Sequence, residues 1–247
     1  MQRYFLKQTP KANTFQLDQE TQHHLMTVLR GKIGTRAEFV YPDHSVHVAE
    51  VVKISAEAID MLVIEDQSKQ VELPVRATLV LGLAKGDKPE LVVQKGTELG
   101  AANFIFVETD WSVVHWGMKV ERKIERLQKI AQNAAEQSHR LIIPTVGYVK
   151  QLSDLSQALL QNATKVVAWE ESAKMGETQQ LVKSISDAKI SGEIVFLIGP
   201  EGGLTPDELT ELERQNFVAA GFGPRILRAE TAPLYALSAL SYSLELE

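Results

Sequence analysis

Residues 194–209 read IVFLIGPEGGLTPDEL, an apolar run that breaks into Gly199-Pro200-Glu201-Gly202-Gly203 and restarts at Thr205-Pro206-Asp207-Glu208. A threonine followed by proline and two acids is a strong helix start, with the threonine as cap and the acids in the first turn. The stretch therefore spells strand, glycine loop, helix. In an open α/β sheet such a loop lies at the carboxyl end of its strand, where ligands bind. Neither phosphate-binding pattern, G-x-x-x-x-G-K-[ST] or G-x-G-x-x-G, is met. With Glu201 in it, the loop suits a neutral or cationic ligand better than a phosphate.

The next apolar run, Phe217 to Ala220, also ends in a glycine loop, Gly221-Phe222-Gly223-Pro224-Arg225-Ile226-Leu227-Arg228. Glycine lets backbone N–H and C=O groups approach a ligand closely, which suits a purine edge, although ordinary turns carry glycine too. Thr231 then reads as the cap of a last helix, Leu234 to Leu244, apolar nearly all round and so expected in a core or against another subunit. Upstream, Thr78–Leu83, Asn103–Val107, Val166–Trp169 and Glu193–Ile198 read as buried strands separated by helices, which predicts a parallel α/β sheet. Asp87 and Glu90 are placed for a capping box on the helix after the first of these strands, and Gly100 for its end.

Before Val71-Glu72-Leu73-Pro74 the pattern is different. Short alternating runs at 37–41, 46–52 and 58–64, separated by turn residues, predict a small antiparallel sheet or barrel with a short helix near Glu20 to Leu29. The domain boundary is placed at 73/74. His23 and His24 lie on that helix and read as solvated rather than metal-bound. Cysteine is absent, which removes disulfides, thiolate metal sites and cysteine nucleophiles. No metal is expected.

Composition is that of an ordinary soluble globular protein, 44% hydrophobic and 23% charged. No window is long and apolar enough to span a bilayer and no signal-peptide core is seen, so a cytoplasmic location without membrane partners is expected. Net charge is −6, yet bases gather at 30–36 and 119–129 and around Arg140, Arg225 and Arg228, so the total says little about nucleic acid. A helix predicted over Lys119 to Arg140 puts small and apolar residues at 120, 124, 127, 131, 134 and 138. Its other stripe is Arg122, Arg126, Lys129, Asn133, Glu136 and Arg140, either a solvated face or a phosphate track.

Glu136-Gln137-Ser138-x-Arg140, the Leu197–Gly203 stretch and Gly223-Pro224-Arg225-Ile226-Leu227-Arg228-x-Glu230-Thr231-Ala232 together resemble the bacterial ribosomal RNA small subunit methyltransferase E family. The similarity extends to Arg3, His24-Leu25-x-x-Val28-Leu29-Arg30 and Gln94-Lys95-x-x-Glu98-Leu99-Gly100. The resemblance implies a PUA-like β-barrel over 1–73 and, over 74–247, an α/β domain of the SPOUT type with a parallel sheet, a deep trefoil knot and a homodimer interface. It implies S-adenosylmethionine as cofactor and methylation of N3 of a uridine in 16S rRNA of the small ribosomal subunit, at the position numbered 1498 in standard rRNA numbering. The chain departs from the family pattern at Phe222, Ala229 and Trp111. Where the family often has arginine at the last of these, contact with RNA would pass to an indole able to stack on a base.

That chemistry needs alignment of the methyl group and removal of the N3 proton, with stabilisation of the anion left on the base. Glu136 and Arg140, one turn apart on the expected helix, could divide these roles or be a plain ion pair. Glu98 and Glu230 are the other candidate bases. Cofactor contacts are expected from Ala168, Trp169 and Glu170, from Ile198, Gly199, Pro200, Glu201 and Gly202, and from Phe222, Gly223, Ile226, Leu227, Arg228, Glu230 and Ala232. Arg228 could instead pair with Glu201 or Glu230. RNA contacts are expected from Arg3, Arg30, Lys32, Arg36, Arg122, Arg126 and Lys129. The competing readings are a non-catalytic RNA-binding assembly factor, which would bind no methyl donor, and a nucleotide-dependent phosphotransferase, which the missing loop lysine disfavours.

Overall fold

The computed structural model describes residues 1–55, 57–67, 70–155 and 162–247. Contacts divide them into one unit of Met1–Glu72 with Ala135–Ile142 and a second of Leu73–Ala134 with Ile143–Glu247. The return of 135–142 to the first unit is not something the hydropathy pattern announces.

The first unit is built on strands β1 (Gln2–Phe5), β2 (Thr14–Gln16), β3 (Arg36–Val40), β4 (Val46–Ile54) and β5 (Ile59–Gln67). They form one sheet in the order β1-β3-β4-β5-β2, with β1 parallel to β3 and the other pairings antiparallel. The expected barrel is not closed among the described residues: β1 and β2 are the two edges of the sheet. Helix α1 (Gln19–His23) starts at Asp18, whose carboxylate accepts a hydrogen bond from the Thr21 N–H, and runs on into one π-helical turn at His24–Val28. Phe39, Ala49, Val51 and Met61 alternate inward with Tyr4 and Leu25 to make the core. His24 accepts or donates to the Tyr4 hydroxyl at 2.9 Å.

The second unit carries β6 (Arg76–Gly82), α2 (Lys88–Glu98), β7 (Asn103–Val107), α3 (Val120–Gln137, its last turn counted with the first unit) and β8 (Thr145–Val149). It continues with β9 (Thr164–Ala168), α4 (Glu170–Lys174), α5 (Gln180–Ser191), β10 (Glu193–Ile198), α6 (Pro206–Arg214), β11 (Val218–Ala220) and α7 (Thr231–Ser241). All six strands are parallel, in the order β11-β9-β10-β6-β7-β8. The central strands β6 and β10 are mostly apolar after their first residue because both faces are covered. β10 comes late in the chain and inserts between β6 and β9, so the order reverses there. The loops following β9, β10 and β11 consequently share one sheet edge, at a switch point of the kind where ligands bind.

Local sequence signals were read correctly in some helices and not in others. At α6 the full capping box forms: Thr205 Oγ1 accepts from Glu208 N–H, and Glu208 accepts from Thr205 N–H at 2.7 Å. At α2 it does not. Asp87 has φ −93° and ψ 4°, outside the extended geometry a cap requires, and Glu90 is drawn away into an ion pair with Arg126 at 2.9 Å. Thr231 is the first residue of α7 rather than its cap, the cap position falling to Glu230. The helix expected to reach Arg140 stops at Gln137, because His139 turns to a positive φ of 57°. No described helix is long and apolar enough to cross a membrane.

Candidate active site

A cavity of about 780 Å³ opens at the carboxyl ends of β9, β10 and β11, within the range of about 300–1,000 Å³ usual for small-molecule sites. The first glycine loop supplies Ile198 to Leu204, and the second supplies Phe222 and Pro224 to Ala229. Ala168, Trp169 and Glu170 after β9 and Ala232 on α7 complete most of the wall. Of the expected cofactor contacts, Gly223 and Glu230 do not line this space. Gly223 holds a φ of +83° that shapes the second loop, and Glu230 borders a small neighbouring recess. The first loop lies so close to β6 that a Cβ on Gly82 would stand 2.4 Å from Pro200 Cδ. Only glycine admits that approach.

Glu201 does not offer its charge to the cavity alone. Its Oε1 accepts from Lys88 Nζ at 2.7 Å and from the Lys85 N–H at 3.0 Å. Burial raises the Glu201 pKa, but the lysine partner outweighs it and the carboxyl lies below its ordinary value. Lys88 Nζ also stands 3.4 Å from Glu230 Oε2, so one ammonium ties the loop after β10 to the segment before α7. Its own pKa is raised, chiefly by the bond to Glu201. The loop thus acquires a lysine after all, from the start of α2. Sequence reasoning missed it, though the signal was there: a lysine as the first residue of a helix opposes the helix dipole and calls for a carboxylate partner. Arg228 leaves Glu201 to Lys88, approaching Glu230 at 3.9 Å with its side chain mostly in solvent.

Two further carboxylates hold the site without touching its space. Glu177 accepts from Gln179 and Gln180 N–H through Oε1, both at 2.6 Å, and from Gly221 N–H through Oε2 at 2.9 Å, which fixes where the second loop begins. Burial raises its pKa, but these backbone donors more than reverse the effect and the carboxyl lies below its usual range. Glu208, already in the capping box, accepts from Asp110 N–H at 2.8 Å and so fastens the turn that carries Trp111. Trp111 lines the cavity beside Gly202.

The candidate catalytic and RNA-contacting residues are placed differently. Arg140 is 3% exposed, and its guanidinium engages Glu72 through Nε and Nη2. Glu72 also accepts from Leu141 N–H at 2.8 Å. Arg140 is therefore neither on the helix nor turned to an outer face, contrary to the stripe read from sequence. Arg3 is likewise buried, paired with Glu38 at 2.8 Å and donating to the carbonyls of His139 and Arg140, so it is not a surface grip for RNA. Glu136 is half-buried near Tyr4, whose pKa burial, and secondarily the Glu136 charge, pushes up. Glu98 bonds to Lys95 and lies ten residues along α2 from Lys88, about 15 Å at the helical rise. It is not among the cavity residues. Arg30, Lys32, Arg36, Arg122, Arg126 and Lys129 are exposed, with Arg36 paired to Glu50 and Arg126 to Glu90.

A model of the RNA methyltransferase domain matches residues 71–241, which include every residue of the cavity. Over an alignment of 251 residues the chain is 42% identical to ribosomal RNA small subunit methyltransferase E of Bacillus subtilis strain 168, covering 100% of this chain and 98% of that protein. The chain belongs to the ribosomal RNA small subunit methyltransferase E family. Members from Mycobacterium tuberculosis and Synechocystis are 34% and 31% identical over 68% and 90% of this chain and 64% and 71% of theirs. Among solved structures, ribosomal RNA small subunit methyltransferase E of Neisseria gonorrhoeae superposes with a TM-score of 0.84 at 26% identity, over 98% of both chains, and is described as bound to S-adenosyl methionine. A second structure, of a protein described only as hypothetical, reaches a TM-score of 0.88 at 40% identity over 99% of both chains.

Proposed function

We propose that this methyltransferase carries the methyl group of S-adenosylmethionine to N3 of a uridine in 16S rRNA, at the position numbered 1498 in standard rRNA numbering. The observation that carries the reading is the meeting of two glycine loops and the β9 end around one cavity in a chain of this family. The residues present suit the cofactor. Ile198, Phe222, Leu227 and Ala232 give apolar surface, and the glycine-bearing loops let main chain come close to a ligand. When bound, the cofactor supplies a methyl group already activated by a positive sulfur. In the transfer the S–CH3 bond breaks, the N3–CH3 bond forms and the N3 proton leaves with a base.

Within the cavity Glu170 and Glu171 are both paired with Lys174, and Glu201 with Lys88, so each lining carboxylate is partnered by a lysine. The candidate base remains Glu136. The role proposed for Arg140 becomes positional: its buried pair with Glu72 fixes the segment just after Glu136. We further propose that the N-terminal unit is PUA-like and grips RNA through Arg30 and Lys32, that the late insertion of β10 reflects a knotted path, and that the second unit forms a homodimer.

The test is to incubate the purified protein with labelled S-adenosylmethionine and unmodified small ribosomal subunits or naked 16S rRNA, then analyse the nucleosides by mass. A single N3-methylated uridine is expected. Absence of transfer to both substrates sinks the proposal, and transfer to another atom or base corrects it.

A further inference from the structure

Trp111 is an indole held half in water at the rim of the cavity, with 48% of its surface exposed. Its turn is rigid. The Thr109 N–H donates to Ser112 Oγ at 3.1 Å, Ser112 N–H returns a bond to the Thr109 carbonyl at 2.9 Å, and Asp110 N–H donates to Glu208 at 2.8 Å. Glu208 is the first-turn partner of Thr205 in the capping box of α6, so the turn is tied directly to the helix that follows the first glycine loop. On the other side, Glu108 accepts from the Tyr148 hydroxyl at 2.8 Å, and Tyr148 stacks on the buried Trp116. Gly202 lies beside the stem of this residue: a Cβ there would come within 3.1 Å of Trp111 Cβ and 3.3 Å of its carbonyl oxygen. The base of the Trp111 side chain therefore lies against the first glycine loop, while about half of the residue faces solvent.

The cavity that Trp111 lines is also lined by Arg225 and Arg228, both exposed. An aromatic face and guanidinium groups at one opening form the pair of elements that holds a single nucleotide, the base by stacking and its phosphate by charge.

We propose that Trp111 is the platform on which the base to be methylated stacks, so that this residue positions the RNA and not the methyl donor. The inference rests on the methyl-transfer reading above. Stacking on an indole does not read a base edge, so Trp111 sets the position of the base and leaves its identity to other contacts.

The experiment compares the wild-type protein with Trp111→Phe and Trp111→Leu in steady-state methylation of unmodified small subunits, with cofactor affinity measured separately by calorimetry. Truncation to leucine should lower kcat/KM for the subunit on the order of ten- to a hundred-fold, with phenylalanine recovering part of it. The dissociation constant of S-adenosylmethionine should stay within about twofold. A cofactor affinity that falls in step with activity would overturn the inference, because the indole would then be covering the cationic sulfur. So would a Trp111→Leu enzyme with unchanged kinetics. Wild-type protein that transfers no methyl group would remove the methyltransferase reading itself, and this inference with it. As a measurement free of mutation, fluorine NMR of protein labelled with fluorotryptophan should show the Trp111 signal moving when RNA is added and the buried Trp116 signal staying in place; an unmoved Trp111 signal would count against stacking.

Discussion

In the N-terminal unit Arg3, Glu38, Arg140 and Glu72 form a charged cluster that solvent hardly reaches, with the more exposed His139 at its border, whereas Lys88, Glu201 and Glu230 in the C-terminal unit form one at the edge of an open cavity. Side-chain exposure separates them: 4% and 11% for Arg140 and Glu72, against 27% and 30% for Lys88 and Glu201. Charges removed from water hold only while every partner is present, so the first cluster should govern stability. Charges left partly in water contribute little to stability, and what the second cluster can do is fix two loops relative to each other. The residue types are the same in both, and burial decides which role they take.

The largest effect expected from this contrast is in the buried cluster. Arg140→Ala strands Glu72 with only the Leu141 and Ile142 N–H groups as donors and should cost about 3–5 kcal/mol in urea unfolding. A loss below about 1 kcal/mol would mean that the pair is not truly desolvated. Next comes Gly82→Ala, in which the new Cβ must displace Pro200 from the first loop. About 1–3 kcal/mol of stability should be lost to overpacking, together with cofactor binding. Unimpaired cofactor binding by that variant would separate the loop from the site.

The buried cluster should also respond to acid. Glu38 gains proton affinity from burial, but its bonds to Arg3 and His139 prevail and hold its pKa below 4.5. A carboxyl depressed in the folded state stabilises above its unfolded pKa and loses that contribution as pH falls through the folded value. The urea midpoint of wild-type protein should therefore exceed that of Glu38→Gln at neutral pH, and the gap should close as pH falls below the ordinary carboxylate range. A gap independent of pH would contradict the assignment. The smallest effect on stability is expected at Thr205→Ala, which removes one half of the capping box for about 1 kcal/mol. Its readout is the same unfolding curve, and no change at all would mean that Glu208 holds the helix start unaided.

The parallel sheet was legible because each central strand had to be apolar on both faces, and the start of α6 because Thr205 and Glu208 are only three residues apart. What could not be read was pairing over distance. Arg140 fits a helical stripe by spacing, yet the positive φ of His139 ends the helix and turns the arginine inward to Glu72, a residue 68 positions away. Glu90 has the correct spacing for a cap and is taken by Arg126. In the site, the loops themselves were visible as glycine-bearing strand ends. Lys88 and Glu177 were not, because each acts on a loop that is near only after folding. The open sheet of the first unit escaped for a related reason: alternation specifies strands, while closure depends on edges that β1 and β2 do not join.

The most direct test of the contrast is a calorimetric titration of S-adenosylmethionine into wild-type protein and into Lys88→Met. We expect saturable binding by the wild type and affinity lower on the order of tenfold in the variant, since the loop carboxylate loses its charge-assisted bond. Absence of binding by the wild type, or equal affinity in the two proteins, would contradict the account of the cavity and its lysine brace.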